Sequence, residues 1–157
     1  MRSFRVLSWR GRKRTKLNGI TNITDDLIGY FNSSQVDKSV VAVYLFGSCI
    51  RDETEKAADI DLAFLLDEQA YKSDPISAMS PAYLIASGIA MHFDKETDVT
   101  ILNSSSLELS YEIMITGKCL YEADPEVRQD YEIKIKSMYF DFKPFLSELR
   151  LNSLSKL

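Results

Sequence analysis

The stretch of sequence that decides the fold comprises two apolar segments, SVVAVYLFGS at residues 39–48 and DIDLAFLL at residues 59–66. Both are short and almost continuously apolar, which is typical of strands that are covered on both faces. The first segment ends at Gly47 and Ser48, and the second begins with two acids, Asp59 and Asp61. We therefore predict two buried strands with polar groups at the end of one and at the start of the other.

Helices and further strands surround this pair. The predicted elements are, in chain order, a helix over Ile23–Phe31, strands over Ser39–Phe46 and Asp59–Leu66, a loop over residues 67–75, a helix over Ile76–Phe93, a strand over Asp98–Leu102, a helix from Ser105 or Ser106 to about Gly117, and an edge strand over Cys119–Tyr121. Thr24 is the predicted N-cap of the first helix. Pro81 favours a first helical turn, which would move the start of its helix to Ser80. Alternating strands and helices predict an α/β or α+β fold, with a small mixed sheet covered by helices.

The C-terminal segment is amphipathic. Its apolar residues recur every three or four positions and form one helical stripe, comprising Val127, Tyr131, Ile135, Met138, Phe142, Phe145 and Leu149. Pro144 is expected to break or kink this helix. We expect the stripe to pack in the core of the chain, because amphipathic helices usually bury their apolar face at home. A face for a partner protein is the open alternative.

Length and charge limit the function classes. The 157 residues fit one domain. Residues 1–20 carry seven Lys or Arg and no acid, whereas residues 21–157 hold 12 basic and 23 acidic side chains, a net charge of −11. Because duplex affinity depends on neutralising phosphates, direct nucleic-acid binding by this acidic body is not expected. We expect residues 1–20 to be a basic, disordered head and residues 21–157 to be a single domain; a transit peptide or a polyanion-binding arm remains open for the head.

Other residue types argue against several alternatives. No apolar run approaches the roughly 20 residues that cross a bilayer, so no membrane span is expected. Two cysteines, Cys49 and Cys119, and one histidine, His92, are too few for a disulfide framework or a structural zinc cluster. Free thiols fit a cytoplasmic location best.

Acids at the strand starts carry the candidate chemistry. Asp59 and Asp61 lie two residues apart, so in a strand they point to the same face. Unpaired carboxylates are costly to bury and must be solvated, paired or bound to metal. Gly47-Ser48 offers a close backbone approach and a hydroxyl for phosphate oxygens, and Asp98 opens the third apolar strand. A phosphate-holding turn beside three carboxylates fits two-metal phosphoryl or nucleotidyl transfer.

At these residues the sequence resembles a known family. Gly47-Ser48, then ten residues, then Asp59-x-Asp61, with a third acid at Asp98, resembles the nucleotidyltransferase motif of the DNA polymerase β-like superfamily. Within that superfamily, residues 24–146 resemble the minimal nucleotidyltransferases, or MNT proteins, which are often paired with HEPN toxins. The resemblance implies a polymerase β-like nucleotidyltransferase fold with C-terminal helices. It also implies an antitoxin that transfers AMP from ATP to a tyrosine of its HEPN ribonuclease partner, within a hetero-oligomer.

The resemblance also implies roles for individual residues. Asp59, Asp61 and Asp98 would be catalytic and would hold two Mg²⁺ ions, while Gly47 and Ser48 would bind the phosphates of ATP. Arg51 would add positive charge there; a surface ion pair with Asp52 or Glu55 is an equally good interpretation of this arginine. Two other functions stay open. One is nucleotidylation of a small molecule such as an aminoglycoside, and the other is a non-catalytic antitoxin that acts by binding alone.

Overall fold

The computed structural model describes residues 22–51 and 59–156. Over these residues the chain forms, in order, α1 (Ile23–Asn32), β1 (Val40–Phe46), α2 (Ser48–Arg51), β2 (Ile60–Leu66), α3 (Glu68–Ser73), α4 (Pro75–Phe93), β3 (Thr97–Ile101), a 3₁₀ turn (Leu102–Ser104), α5 (Leu107–Thr116), β4 (Lys118–Glu122) and α6 (Pro125–Leu154). The predicted basic head lies outside the described residues, and the extent of the single domain stays a prediction.

One four-stranded sheet organises the fold, with the strand order β3-β2-β1-β4. β1 is antiparallel to both β2 and β4, and β2 is parallel to β3. A parallel neighbour requires a crossover connection, which α3 and α4 supply. The predicted small mixed sheet and the predicted edge strand near Cys119–Tyr121 are therefore confirmed.

Helices cover both faces of the sheet. On one face, α1 and α4 contribute Leu27, Phe31 and Ile89 to a core that includes Leu45 and Phe64. A second, smaller core on the opposite face contains Ile113 of α5 and is flanked by Tyr131 of α6. Every residue of β1 from Val40 to Leu45 is buried, which is the physical reason for its continuously apolar sequence.

Several local predictions were wrong. Residues 67–75 contain α3, whose N-cap Asp67 accepts a hydrogen bond from the Ala70 amide at 2.9 Å. No residue of α3 is buried, so its sequence carries no apolar period. The N-cap of α1 is Asn22 rather than Thr24. In α1 the Asn22 side chain accepts from the Thr24 amide, which makes Thr24 a helical residue.

The two prolines do not end their helices. α4 begins at Pro75 with Asp74 as its N-cap and continues through Pro81, so the predicted start at Ser80 was wrong. α6 likewise runs unbroken past Pro144 to Leu154. The predicted helix from Ser106 to Gly117 is confirmed, with Ser106 as N-cap and Gly117 as C-cap.

α4 also differs from the sequence expectation in its hydropathy. Among the described helices it alone is long and apolar enough, by length and composition, to cross a membrane, and 22% of its apolar window is buried. The run-length argument missed it because serines, Gly88 and Pro81 interrupt the apolar residues. Length and composition alone are weak evidence, since core helices of soluble proteins pass the same test, and α4 packs on β2 and β3.

The stripe on α6 is divided. Tyr131 and Ile135 pack toward the sheet, and Ile135 is the one buried residue among the described positions of this helix. Beyond them, Phe142, Phe145 and Leu149 are exposed. Core packing of the whole stripe was therefore the wrong expectation, because α6 is longer than the sheet surface that it covers.

Candidate active site

Three acidic residues meet at one end of the sheet. Asp59 immediately precedes β2, Asp61 is the second residue of β2, and Asp98 is the second residue of β3. The parallel register pairs Asp61 directly with Asp98. Neighbouring strands lie about 4.8 Å apart and paired residues point to the same face. The backbone thus places the three acids predicted from the sequence at one edge and on one face.

A backbone hydrogen bond fixes this alignment. The amide of Ile60 donates to the carbonyl of Glu96 at 2.8 Å, just before β3 begins. The bond holds the start of β2 level with the start of β3. Asp59 and Asp98 are exposed and Asp61 is half-buried, so this edge is accessible to a ligand.

Gly47 lies directly against Asp61. Its φ is +79°, a conformation that residues other than glycine rarely adopt. A Cβ placed on Gly47 would lie 3.2 Å from Cγ of Asp61 and even closer to its Oδ2. The antiparallel register, which pairs Phe46 with Asp61, explains this contact. Glycine is therefore required here both by backbone conformation and by the carboxylate beside it.

Ser48 and Cys49 follow the glycine in the short helix α2. The Cys49 thiol is buried and donates a hydrogen bond to the carbonyl of Asp59 at 3.2 Å. Burial raises the pKa of this thiol, the charges of Asp61 and Asp59 raise it further, and Lys95 acts in the opposite direction. Cys49 is therefore a neutral support beneath Asp59. Sequence reasoning missed this role because nothing in the spacing separates a supporting cysteine from any other buried one.

The remaining predicted site residues can be placed only in part. Arg51 ends α2, but its side chain lies outside what the structure describes, as do Asp52 and Glu55. His92 is exposed near the end of α4 and its ring lies 5.3 Å from that of Tyr30. This aromatic contact agrees with a structural role for the histidine.

The donor set fits a hard divalent cation in its chemistry. Carboxylate oxygens are the ligands that Mg²⁺ prefers, and Asp59, Asp61 and Asp98 present them on one face. Within residues 22–51 and 59–156, no three His, Cys, Asp or Glu side chains are close enough together to hold a metal ion. The backbone positions therefore suit a shared ion, but the carboxylates must turn toward one another to bind it.

Comparison with known proteins identifies the class. A family model described as "Polymerase beta, Nucleotidyltransferase" matches residues 26–126, a range that includes all three acids and the Gly47-Ser48 turn. The chain belongs to the polymerase β nucleotidyltransferase family. The comparison with proteins of curated function finds no match.

Solved structures of toxin–antitoxin systems have the same fold. A chain of a toxin–antitoxin structure with AMP-PNP is 20% identical with a TM-score of 0.57, and the match covers 85% of this chain and 98% of that one. A chain of the tri-AMPylated Shewanella oneidensis HEPN toxin in complex with MNT antitoxin is 19% identical with a TM-score of 0.57, covering 83% and 98%. A chain of the MntA-HepT toxin-antitoxin is 20% identical with a TM-score of 0.55, covering 83% and 96%. At these identities the likeness shows the fold alone.

Proposed function

We propose that this protein is a Mg²⁺-dependent adenylyltransferase that acts as an antitoxin. It transfers AMP from ATP to a tyrosine of a HEPN toxin and so neutralises the toxin, in the cytoplasm. The observation that carries the proposal is the register that pairs Asp61 with Asp98, two residues beyond Asp59 and beside Gly47. An array of carboxylates next to a glycine turn suits nucleotidyl transfer, and the family match supports that reaction class.

Two structural relatives support the finer assignment. One is a toxin–antitoxin with AMP-PNP, an ATP analogue. Another contains a HEPN toxin that carries AMP groups, in complex with its MNT antitoxin. The fold of this chain covers 98% of the matched chain in both cases, so the proposal needs no further domain.

Each residue of the site then has a defined task. Gly47 offers a close backbone approach and Ser48 a hydroxyl to the β- and γ-phosphates of ATP. Asp98 accepts the proton of the acceptor tyrosine, whose oxygen bonds to the α-phosphorus while the bond to the β-phosphate oxygen breaks. Pyrophosphate leaves and AMP stays on the toxin. Cys49 holds Asp59 in place from below.

Asp59, Asp61 and Asp98 would hold the metal ions. When bound, Mg²⁺ would neutralise phosphate charge and make the tyrosine hydroxyl more acidic. The exposed position of Asp59 and Asp98 leaves room for both ATP and a protein surface.

The decisive experiment measures the intact mass of the neighbouring-gene HEPN protein after incubation with ATP and Mg²⁺. Wild type should add one or more AMP units, and Asp61→Asn should lower the rate by at least about 10³-fold, because one ligand of the reaction centre loses its charge. Asp130→Asn, an exposed acid on α6, is the matched control and should transfer AMP at the wild-type rate.

Equal transfer by Asp61→Asn would refute the assignment of the site. If wild type adds no AMP but still forms a stable complex with the toxin, the protein is an antitoxin that acts by binding. If neither transfer nor a complex is found, the acceptor is a small molecule instead, and a screen of hydroxylated compounds follows.

A further inference from the structure

The second half of α6 carries an exposed apolar surface with the spacing of a coiled coil. From Tyr131 to Leu149 the stripe advances by four, three, four, three and four residues, a heptad pattern. Its first two members pack toward the chain's own sheet. The next four, which we name the α6 seam, are exposed by 38%, 49%, 57% and 48% and comprise Met138, Phe142, Phe145 and Leu149.

The α6 seam continues from a cavity. A cavity of about 560 Å³ lies between the sheet and α6, and its lining includes Leu66, Leu102, Ile135 and Met138. Met138 therefore belongs both to the cavity wall and to the seam. The two form one apolar groove that runs from the floor at Leu66 to Leu149, and its helical part is about 20 Å long.

α6 is held in a fixed orientation that keeps the seam exposed. The rings of Tyr111 on α5 and Tyr139 stack with centroids 3.7 Å apart. Farther along, Arg150 forms an ion pair with Glu108 of α5 at 2.5 Å. Both contacts use the side of α6 next to α5. The preorganised helix therefore presents its seam without a prior ordering cost.

Charges beside the seam restrict what can occupy it. Asp141 and Glu148 are exposed and each immediately precedes a seam residue, Phe142 and Leu149 respectively. In heptad terms these are the flanking positions that form ion pairs with a partner helix. An antiparallel second copy that places Phe142 on Phe145 would bring Asp141 of each chain against Glu148 of the other. That repulsion, repeated by symmetry, disfavours self-pairing.

We propose that the α6 seam docks an amphipathic helix of the partner toxin, apolar at heptad spacing and flanked by Lys or Arg that pair with Asp141 and Glu148. The identity of the partner as a HEPN toxin rests on the proposed function. A large apolar side chain at one end of that helix fills the cavity beside Leu66. The docked helix holds the toxin on the antitoxin independently of the reaction at Asp61.

The test measures the affinity of the neighbouring-gene HEPN toxin for the Asp61→Asn protein, in which AMP transfer cannot change the complex during the measurement. Adding Phe142→Ser and Phe145→Ser should weaken the dissociation constant by about 30-fold or more, as expected when central aromatic residues are removed. The matched control is Leu84→Ser with Met91→Ser, which removes two side chains that are 73% and 85% exposed on α4 and should change the affinity by less than about twofold. Asp141→Lys with Glu148→Lys should weaken binding about tenfold at low salt and less at high salt.

Three results would overturn the proposal. The first is wild-type affinity in the Phe142→Ser, Phe145→Ser protein. The second is unchanged or tighter binding after the charge reversals. The third is a dimer of the free antitoxin in sedimentation that the Phe142→Ser, Phe145→Ser pair converts to a monomer, which would identify a second copy as the occupant. ATP affinity of each variant, measured in parallel, verifies that the domain is folded.

Failure of this proposal is distinguishable from failure of the proposed function. AMP transfer by wild type, together with wild-type toxin affinity in the seam variant, overturns the seam and leaves the enzyme intact. No AMP transfer, together with loss of binding in the seam variant alone, supports the seam and overturns the enzyme.

Discussion

At the scale of single residues, Gly47 connects the fold to the candidate chemistry. Its φ of +79° and its contact with Asp61 leave no room for a side chain. We expect Gly47→Ala to lower the free energy of unfolding by about 1–3 kcal/mol and to reduce AMP transfer, since the Asp61 carboxylate must move. Urea unfolding and the transfer rate measure the two effects.

Gly29 provides the matched control. It lies inside α1, and a Cβ there would meet nothing within 4 Å. Gly29→Ala should therefore raise the free energy of unfolding by about 0.5–1 kcal/mol, as usual for a helix interior. Equal effects of the two substitutions would show that Gly47 is an ordinary turn residue.

The sequence predicted the acids better than it predicted their supports. Asp59, Asp61 and Asp98 could be singled out because charged residues interrupt apolar strands, which needs an explanation wherever it occurs. Their exact pairing depends on the strand register, which no single segment encodes. The thiol of Cys49 beneath Asp59 and the carbonyl of Glu96 act through the folded backbone, so their roles became visible only in the structure.

At the scale of elements, a polar network joins β1 to α6. The buried Tyr44 hydroxyl donates to Glu132 at 2.8 Å, and Arg128 bonds to the same carboxylate at 2.6 Å. Burial, and then the hydrogen bond to Glu132, raise the pKa of Tyr44 above its usual 10.0. The stabilising effect of this tyrosine is therefore complete below pH 10 and is lost as the pH rises above that value, because the unfolded chain ionises first.

We expect Tyr44→Phe to cost about 1–2 kcal/mol at neutral pH. The difference in unfolding free energy from wild type should shrink above pH 10, by up to about 1.4 kcal/mol per pH unit. Urea unfolding of both proteins between pH 8 and pH 11 measures it, and ionisation of other groups cancels in the difference. A pH-independent difference would mean that the phenol ionises as readily in the folded protein as in the unfolded chain.

Element types followed from the sequence wherever burial imposed a period. β1, β2 and α5 were predicted because apolar and polar residues alternate with the geometry of a packed strand or helix. α3 was missed because it buries no side chain and depends on its Asp67 cap. Pro81 and Pro144 misled the prediction because neighbouring packing can hold a helix together through a missing hydrogen bond, a cost that the local sequence does not reveal.

At the scale of the whole molecule, the end of α6 is an appendage to the folded domain. No residue after Ile135 in that helix is buried among those described. Removing residues 138–157 should therefore leave a cooperatively folding domain whose thermal midpoint falls by only a few degrees, because the lost contacts are a tyrosine stack and an exposed ion pair. Thermal unfolding followed by circular dichroism measures the change.

Loss of a cooperative transition in that truncated protein would instead show that the helix end is integral to the core. Lys136→Ala in the full chain, which removes a partly exposed side chain of α6, is the control for nonspecific effects at this helix and should leave the midpoint unchanged.

The motif spacing was enough to predict the fold family, whereas the partner surface was not predictable. Helical periodicity shows that a stripe exists but does not show what covers it, and here one half packs on the sheet and the other half is exposed. The length of a helix relative to its sheet decides that division, and only the assembled molecule reveals it.

The parallel pairing of β2 with β3 sets the order in which the molecule matures. β1 and β2 are close in sequence, but residues 67–96 must fold and cross over before β3 can pair. Distant pairings generally form after local ones. Asp98 thus joins the other two acids in a late step, and a nascent chain that stalls before it carries a stable hairpin with no competence to handle nucleotide. The antidote is complete only when its longest loop has closed, which makes its speed of maturation part of its protective capacity.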